Sequence, residues 1–165
     1  MRKVTTKQLV RAAVIACLYA VLCLVPGLNL LAFGPIQFRV AEALTVLPIL
    51  FPEAIFGLYA GVLLANIFGG FGLVDIILGS FITLVAAYCT RKTKDIRWKN
   101  KRILAFAAPV ILNGLGVSAY LYLLVGLPYW YTAITISAGE AAVVCSLGFF
   151  LLRQLERVPN HKLYK

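Results

Sequence analysis

Apolar residues run through the chain in long blocks, approximately 9–33, 53–70, 73–90, 103–125 and 131–152, with nearly all the charge held between them. Several blocks reach the roughly 20 residues that a helix needs to cross a bilayer. A shorter block, Ala43–Phe51, becomes a feasible helix of about 25 Å when it is extended back through Pro35. Turn residues mark the breaks: Pro52 and Glu53, then Gly69, Gly70, Phe71 and Gly72, and finally Pro128, Tyr129 and Trp130. The pattern predicts helices throughout.

Composition makes these helices membrane spans. The 165 residues are 62% hydrophobic and 13% charged, with a mean hydropathy of +0.92, against roughly 25% charged in soluble domains. The first block has the basic flank of a signal peptide, but its apolar stretch is long and no small-residue cleavage site follows it. It reads as a retained span. The four cysteines, Cys17, Cys23, Cys89 and Cys145, lack metal-ligand or redox spacing and read as small packing residues.

The net charge of +10 would suit nucleic acid, yet fifteen of the sixteen Lys and Arg residues fall in three patches beside predicted spans. That distribution orients a chain in a membrane. Arg2 to Arg11, Arg91 to Arg102 and Arg153 to Lys165 are all expected on the cytoplasmic side, so an even number of crossings separates successive patches. Counting the short block gives six spans with both termini cytoplasmic. The expectation is an all-α membrane protein, one compact six-helix bundle formed by a single domain over residues 1–165.

Carboxylates inside apolar runs are costly, about 2.5–3.5 kcal/mol at a bilayer centre, and usually face a cavity, a charge or a ligand. Glu42, Asp75 and Glu140 are such residues. The topology gathers them in the outer half of the membrane with Gln37, Arg39, Asn66 and the aromatic Trp130, and Asn113 lies nearer the middle of the fifth span. A pocket of this kind suits a flat, donor-rich ligand: carboxylates accept adjacent N–H groups, amides meet a ring carbonyl and aromatic faces stack. Other readings of the same residues stay open. Arg39 and Glu42 can form an intrahelical ion pair, Asp75 can cap a helix, the amides can join helices, and the aromatics can sit at the interface. Glu53, Asp95, Glu156 and His161 read as turn or cytoplasmic residues.

Ala12, Ala16 and Ala20 recur every four residues in the first span and form a small-residue stripe. Such a stripe serves either internal packing, for which Gly57 and Gly61 offer a counterpart, or docking of another membrane subunit. No Walker A sequence, metal-ligand cluster or nucleophile motif occurs, so no cofactor or enzymatic centre is expected. Any energy from ATP has to come from partners.

The run FGPIQFRVAEALTVLP at 33–48 resembles the signature of the QueT family, queuosine-precursor substrate-binding (S) components of energy-coupling factor (ECF) transporters. The similarity continues through GLYAGVLLANIFGGFGLVDIILGS at 57–80, Asn113-Gly114 and Gly139-Glu140. It implies a six-helix S component of a bacterial plasma membrane. Such a subunit captures a 7-cyano- or 7-aminomethyl-7-deazaguanine and associates with a transmembrane T component and two ATPases. The resemblance also implies that Ala12, Ala16 and Ala20 dock the T component. A stand-alone proton-coupled carrier, with Glu140 or Asp75 as the proton site, is the competing expectation.

Overall fold

A reciprocal cap starts the first helix, α1 (Thr6–Leu24): Thr5 Oγ1 accepts from the Gln8 N–H at 3.4 Å, and Gln8 Oε1 accepts from the Thr5 N–H at 3.0 Å. The cap satisfies two N–H groups that have no partner within the helix. The computed structural model describes residues 5–25, 38–70, 72–97 and 102–158, and these are helical throughout, with no strand among them. After α1 come α2 (Val40–Ile49), α3 (Ala54–Gly69), α4 (Ser80–Thr93), α5 (Ile103–Val125) and α6 (Tyr129–Arg157). A π turn at Asp75–Gly79 leads into α4, and a second interrupts α6 at Val144–Gly148. Among the described residues, α1, α5 and α6 are long and apolar enough to cross a membrane, while α2 and α3 are shorter apolar helices.

The second predicted span differs from expectation in its winding. Its start, around Pro35, lies outside the described residues; the rest is a ten-residue 3₁₀ helix, not an α-helix. Pro48 has no N–H to donate, and in an α-helix its ring would press on the Leu44 carbonyl. Thr45 Oγ1 also donates to the Glu42 carbonyl at 2.6 Å, three residues back. At about 2.0 Å per residue the tighter helix reaches about 20 Å, and residues three apart lie on one face. Arg39, Glu42 and Thr45 are thereby stacked along one edge. All residues from Ala41 to Ile49 are buried, and α2 touches each of the other five helices.

Close backbone approach joins α1 to α3. A Cβ on Gly57 would fall 2.7 Å from the Ala12 carbonyl oxygen, and one on Gly61 would fall 2.9 Å from that of Ala16. Tyr19, Cys23, Leu44, Leu58 and Val62 fill the core beside this contact. A second cluster, Val46, Ile49, Ala105, Val144 and Leu152, packs α2 against α5 and α6. Pro109 leaves the Ala105 carbonyl without its helical donor, and Thr90 Oγ1 fills the gap at 3.2 Å.

Polar contacts between distant segments collect at one end of the bundle. Arg11 pairs with Glu53 at 3.2 Å, Arg91 donates to the Pro48 and Ile49 carbonyls at 3.0 and 2.9 Å, and Arg102 pairs with Glu156. Arg11 of the first patch thus reaches the turn at Glu53, Arg91 of the second reaches the C-terminal end of α2, and Arg102 joins the second patch to the third. At the opposite end Gly126, at φ +73°, stops α5 by donating its N–H to the Tyr122 carbonyl at 3.1 Å.

Candidate functional site

Arg39 at the start of α2, Glu42 within it, Asn113 of α5 and Glu140 of α6 line one cavity inside the bundle, with Gly79, Thr83, Val117 and Ile136 completing its walls. Four of the residues singled out from the sequence are thus brought together by helices far apart in the chain. Glu42 is 2% exposed and Glu140 4%. Burial at that level requires that each carboxyl find partners. Tyr19 of α1, fully buried, donates its hydroxyl to Glu42 Oε1, and Asn113 Nδ2 donates to Glu140 Oε1 at 2.6 Å. The two carboxyls are close enough to act on each other electrostatically, and the Arg39 guanidinium acts on both.

These contacts leave part of the polar set unused. Glu42 Oε2, Asn113 Oδ1 and Asn66 Oδ1 are buried and have no hydrogen-bond partner among the described residues. The two amide oxygens are acceptors, and the Glu42 carboxyl also lies within hydrogen-bonding reach of that of Glu140. Because an unpaired buried acceptor costs about 1–3 kcal/mol, the arrangement favours a ligand that brings N–H groups.

Asn66 and Asp75 form a second polar group next to the first. Asn66 Nδ2 donates to the Asp75 carbonyl at 2.9 Å, and the Tyr120 hydroxyl donates to Asp75 Oδ1. Gly79 separates the groups: a Cβ there would lie 3.1 Å from Asn66 Nδ2, 3.4 Å from Asp75 Oδ1 and 3.6 Å from the Tyr120 hydroxyl, while Gly79 itself lines the cavity. The π turn Asp75–Gly79 places both residues at this junction; such turns recur at functional sites.

Gln37 lies outside the described residues. Trp130 is not part of the cavity: it is 70% exposed, with its ring edge-on to Tyr129 at 5.0 Å. Tyr122 and Tyr131 are likewise exposed, so the aromatic groups at the site are Tyr19 and Tyr120, acting through their hydroxyls. Sequence reasoning passed over Tyr19. Its signal was a tyrosine in the middle of an apolar span, four residues from both Ile15 and Cys23, where a hydroxyl needs a partner. Thr83, Val117 and Ile136 carried no signal apart from ordinary packing.

The stripe on α1 faces inward. Ala16 and Ala20 are buried and Ala12 is half-buried, with Ala12 and Ala16 against Gly57 and Gly61. Ala13 and Cys17 occupy the exposed side of the same helix.

The cavity is tight. Its free volume is about 10 Å³, room for about one water, whereas sites for small organic ligands run to about 300–1,000 Å³. In this conformation a planar heterocycle does not fit between the described residues until the walls part.

The family model described as QueT transporter matches residues 9–157. The chain is 31% identical over 163 residues, covering 94% of it and 95% of the relative, to the queuosine precursor transporter QueT of Lactococcus lactis subsp. cremoris (strain MG1363). No solved structure matches the chain.

Proposed function

Since the chain belongs to the QueT transporter family, a family of multi-pass membrane proteins, we propose that it is the capture subunit of an ATP-driven importer of a queuosine precursor. The observation that carries this reading is the convergence of Glu42, Glu140, Asn113 and Arg39 on one buried cavity with acceptors left over. Glu42 Oε2 and Glu140 accept the N–H edge of a 7-deazaguanine base. Arg39 donates to its ring carbonyl, and Asn113 Oδ1 takes a further N–H. If the aminomethyl form is carried, Asp75 is the carboxylate available for its ammonium group.

The reading includes six crossings, both termini in the cytoplasm and a bacterial plasma membrane. It is supported by the gathering of Arg11, Arg91, Arg102 and Glu53 at one end of the bundle, as the positive-inside rule requires for four crossings between Arg11 and Arg91 and two between Arg102 and the C-terminal patch. A T component and two ATPases supply the motion, and α1 is the docking element. With Ala12 and Ala16 against α3 and Ala20 buried, the small residues on α1 that a partner reaches without parting the bundle are Ala13 and Cys17.

Calorimetric titration of the purified chain with both 7-deazaguanine precursors, guanine and an unrelated vitamin tests the capture role. Selective precursor binding without partners is expected; folded protein that binds neither precursor would overturn it. Two buried carboxyls beside one guanidinium also suit a proton-coupled carrier. Uptake by vesicles holding this chain alone, driven by a pH gradient, would favour that second reading.

A further inference from the structure

A second, larger space lies between α5 and the far half of α6, outside the polar cavity. It is a groove of about 840 Å³ whose floor includes Phe106 and Phe149, ring centroids 6.4 Å apart. Its walls are apolar, and Ile103, Ile111 and Phe149 show much of their surface. Among the described residues charge occurs at one end alone, where Arg97, Arg102 and Glu156 form the rim. Arg102 pairs with Glu156, which leaves Arg97 as the excess positive charge; no ion pair involves it among the described residues.

The dimensions identify the occupant. Along α5 the groove extends from Ile103 to Ile111, about 12 Å of helix, and along α6 from Ala141 to Glu156, about 22 Å. Half of a hydrocarbon core about 30 Å thick is about 15 Å. The groove is therefore about one leaflet deep, charged at the interface and apolar towards the midplane. That polarity matches a single lipid. Basic pockets between membrane helices take anionic headgroups, and a guanidinium binds a phosphate through paired N–H groups.

We propose that the α5–α6 groove is a binding site for one anionic phospholipid, its acyl chain lying over Phe106 and Phe149 and its headgroup phosphate held by Arg97 beside Arg102. The lipid wedges the two helices that carry Asn113 and Glu140, since the apolar walls end at Ile111 and Ala141, two residues and one residue from them. The site is independent of the substrate assignment.

The test is native mass spectrometry of the full chain in detergent with equal amounts of phosphatidylglycerol and phosphatidylcholine of identical acyl chains. Wild type is expected to retain one phosphatidylglycerol with about fivefold preference, the factor for one basic residue near an anionic headgroup. Arg97→Glu should abolish the preference, and Ala107→Phe, which fills the groove, should abolish retention. Ala141→Trp repeats the filling from the other wall in case Ala107→Phe does not fold. Equal retention of both lipids by wild type, or phosphatidylglycerol retention unchanged in Arg97→Glu and in a folded groove-filling variant, would overturn the proposal.

Discussion

Gly61 of α3 and Tyr19 of α1 are in such close apposition that a Cβ on Gly61 would fall 2.7 Å from the Tyr19 Cβ. The approach sets how deeply the Tyr19 ring enters the bundle, and the hydroxyl at its end holds Glu42. Helix packing and carboxylate position are therefore one arrangement. Gly61→Val should strain the α1–α3 contact by about 1–3 kcal/mol, as overpacked cores do, and lower the melting temperature in detergent. Unchanged melting would show that the two helices are free to move apart.

Removing only the hydroxyl separates the two roles of Tyr19. Tyr19→Phe keeps the ring and its packing but takes away a charge-assisted hydrogen bond. Precursor affinity is expected to fall about tenfold or more, with helix content unchanged by circular dichroism. An affinity equal to wild type would mean that Glu42 needs no such support.

Replacing Glu140 by Ala removes an acceptor and strands Asn113 Nδ2, its hydrogen-bond partner at 2.6 Å. Titration calorimetry should show precursor binding weakened by about ten- to a hundredfold, the equivalent of about 1.5–3 kcal/mol. Full affinity in Glu140→Ala would falsify the assignment of this carboxyl to the ligand.

Trp130 supplies the contrasting case. Because it is largely exposed and not in the cavity wall, Trp130→Ala should leave precursor affinity within about twofold in the same titration, the range of a surface change of about 0.5 kcal/mol. A tenfold loss would place the ligand near the α5–α6 turn instead.

Ala16→Trp and Ala13→Trp test the docking reading on opposite faces of α1. Ala16 is buried against Gly61, so its replacement should destabilise the isolated chain; Ala13 is exposed, and its replacement should spare stability while impairing co-purification of the T component. Normal assembly and uptake with Ala13→Trp would remove that face from the docking surface.

The three carboxylates stood out along the chain because charge in an apolar run has few bland explanations, and two of them, Glu42 and Glu140, line the cavity. Asp75 and Asn66 lie one glycine away from it. Trp130 is exposed and outside the cavity wall, and an aromatic residue near a turn has the same local pattern at a membrane interface as at a ligand wall. Tyr19 was invisible for the opposite reason: in an apolar span it looks like packing, and the carboxylate that occupies its hydroxyl is 23 residues further on. The alanine stripe was legible as a stripe. Which neighbour it faces depends on the glycines of α3.

From the sequence alone came the helical class, most of the helix boundaries, the membrane setting and the family resemblance. These follow from apolar run length, charge placement and contiguous motifs, all of which are local. Tertiary structure decided the 3₁₀ winding of α2, the inward face of Ala16 and Ala20, and the contact of Tyr19 with Glu42 while Trp130 stays exposed. Each depends on which side chains meet across helices, and that meeting is fixed by packing between segments that the order of residues does not place side by side.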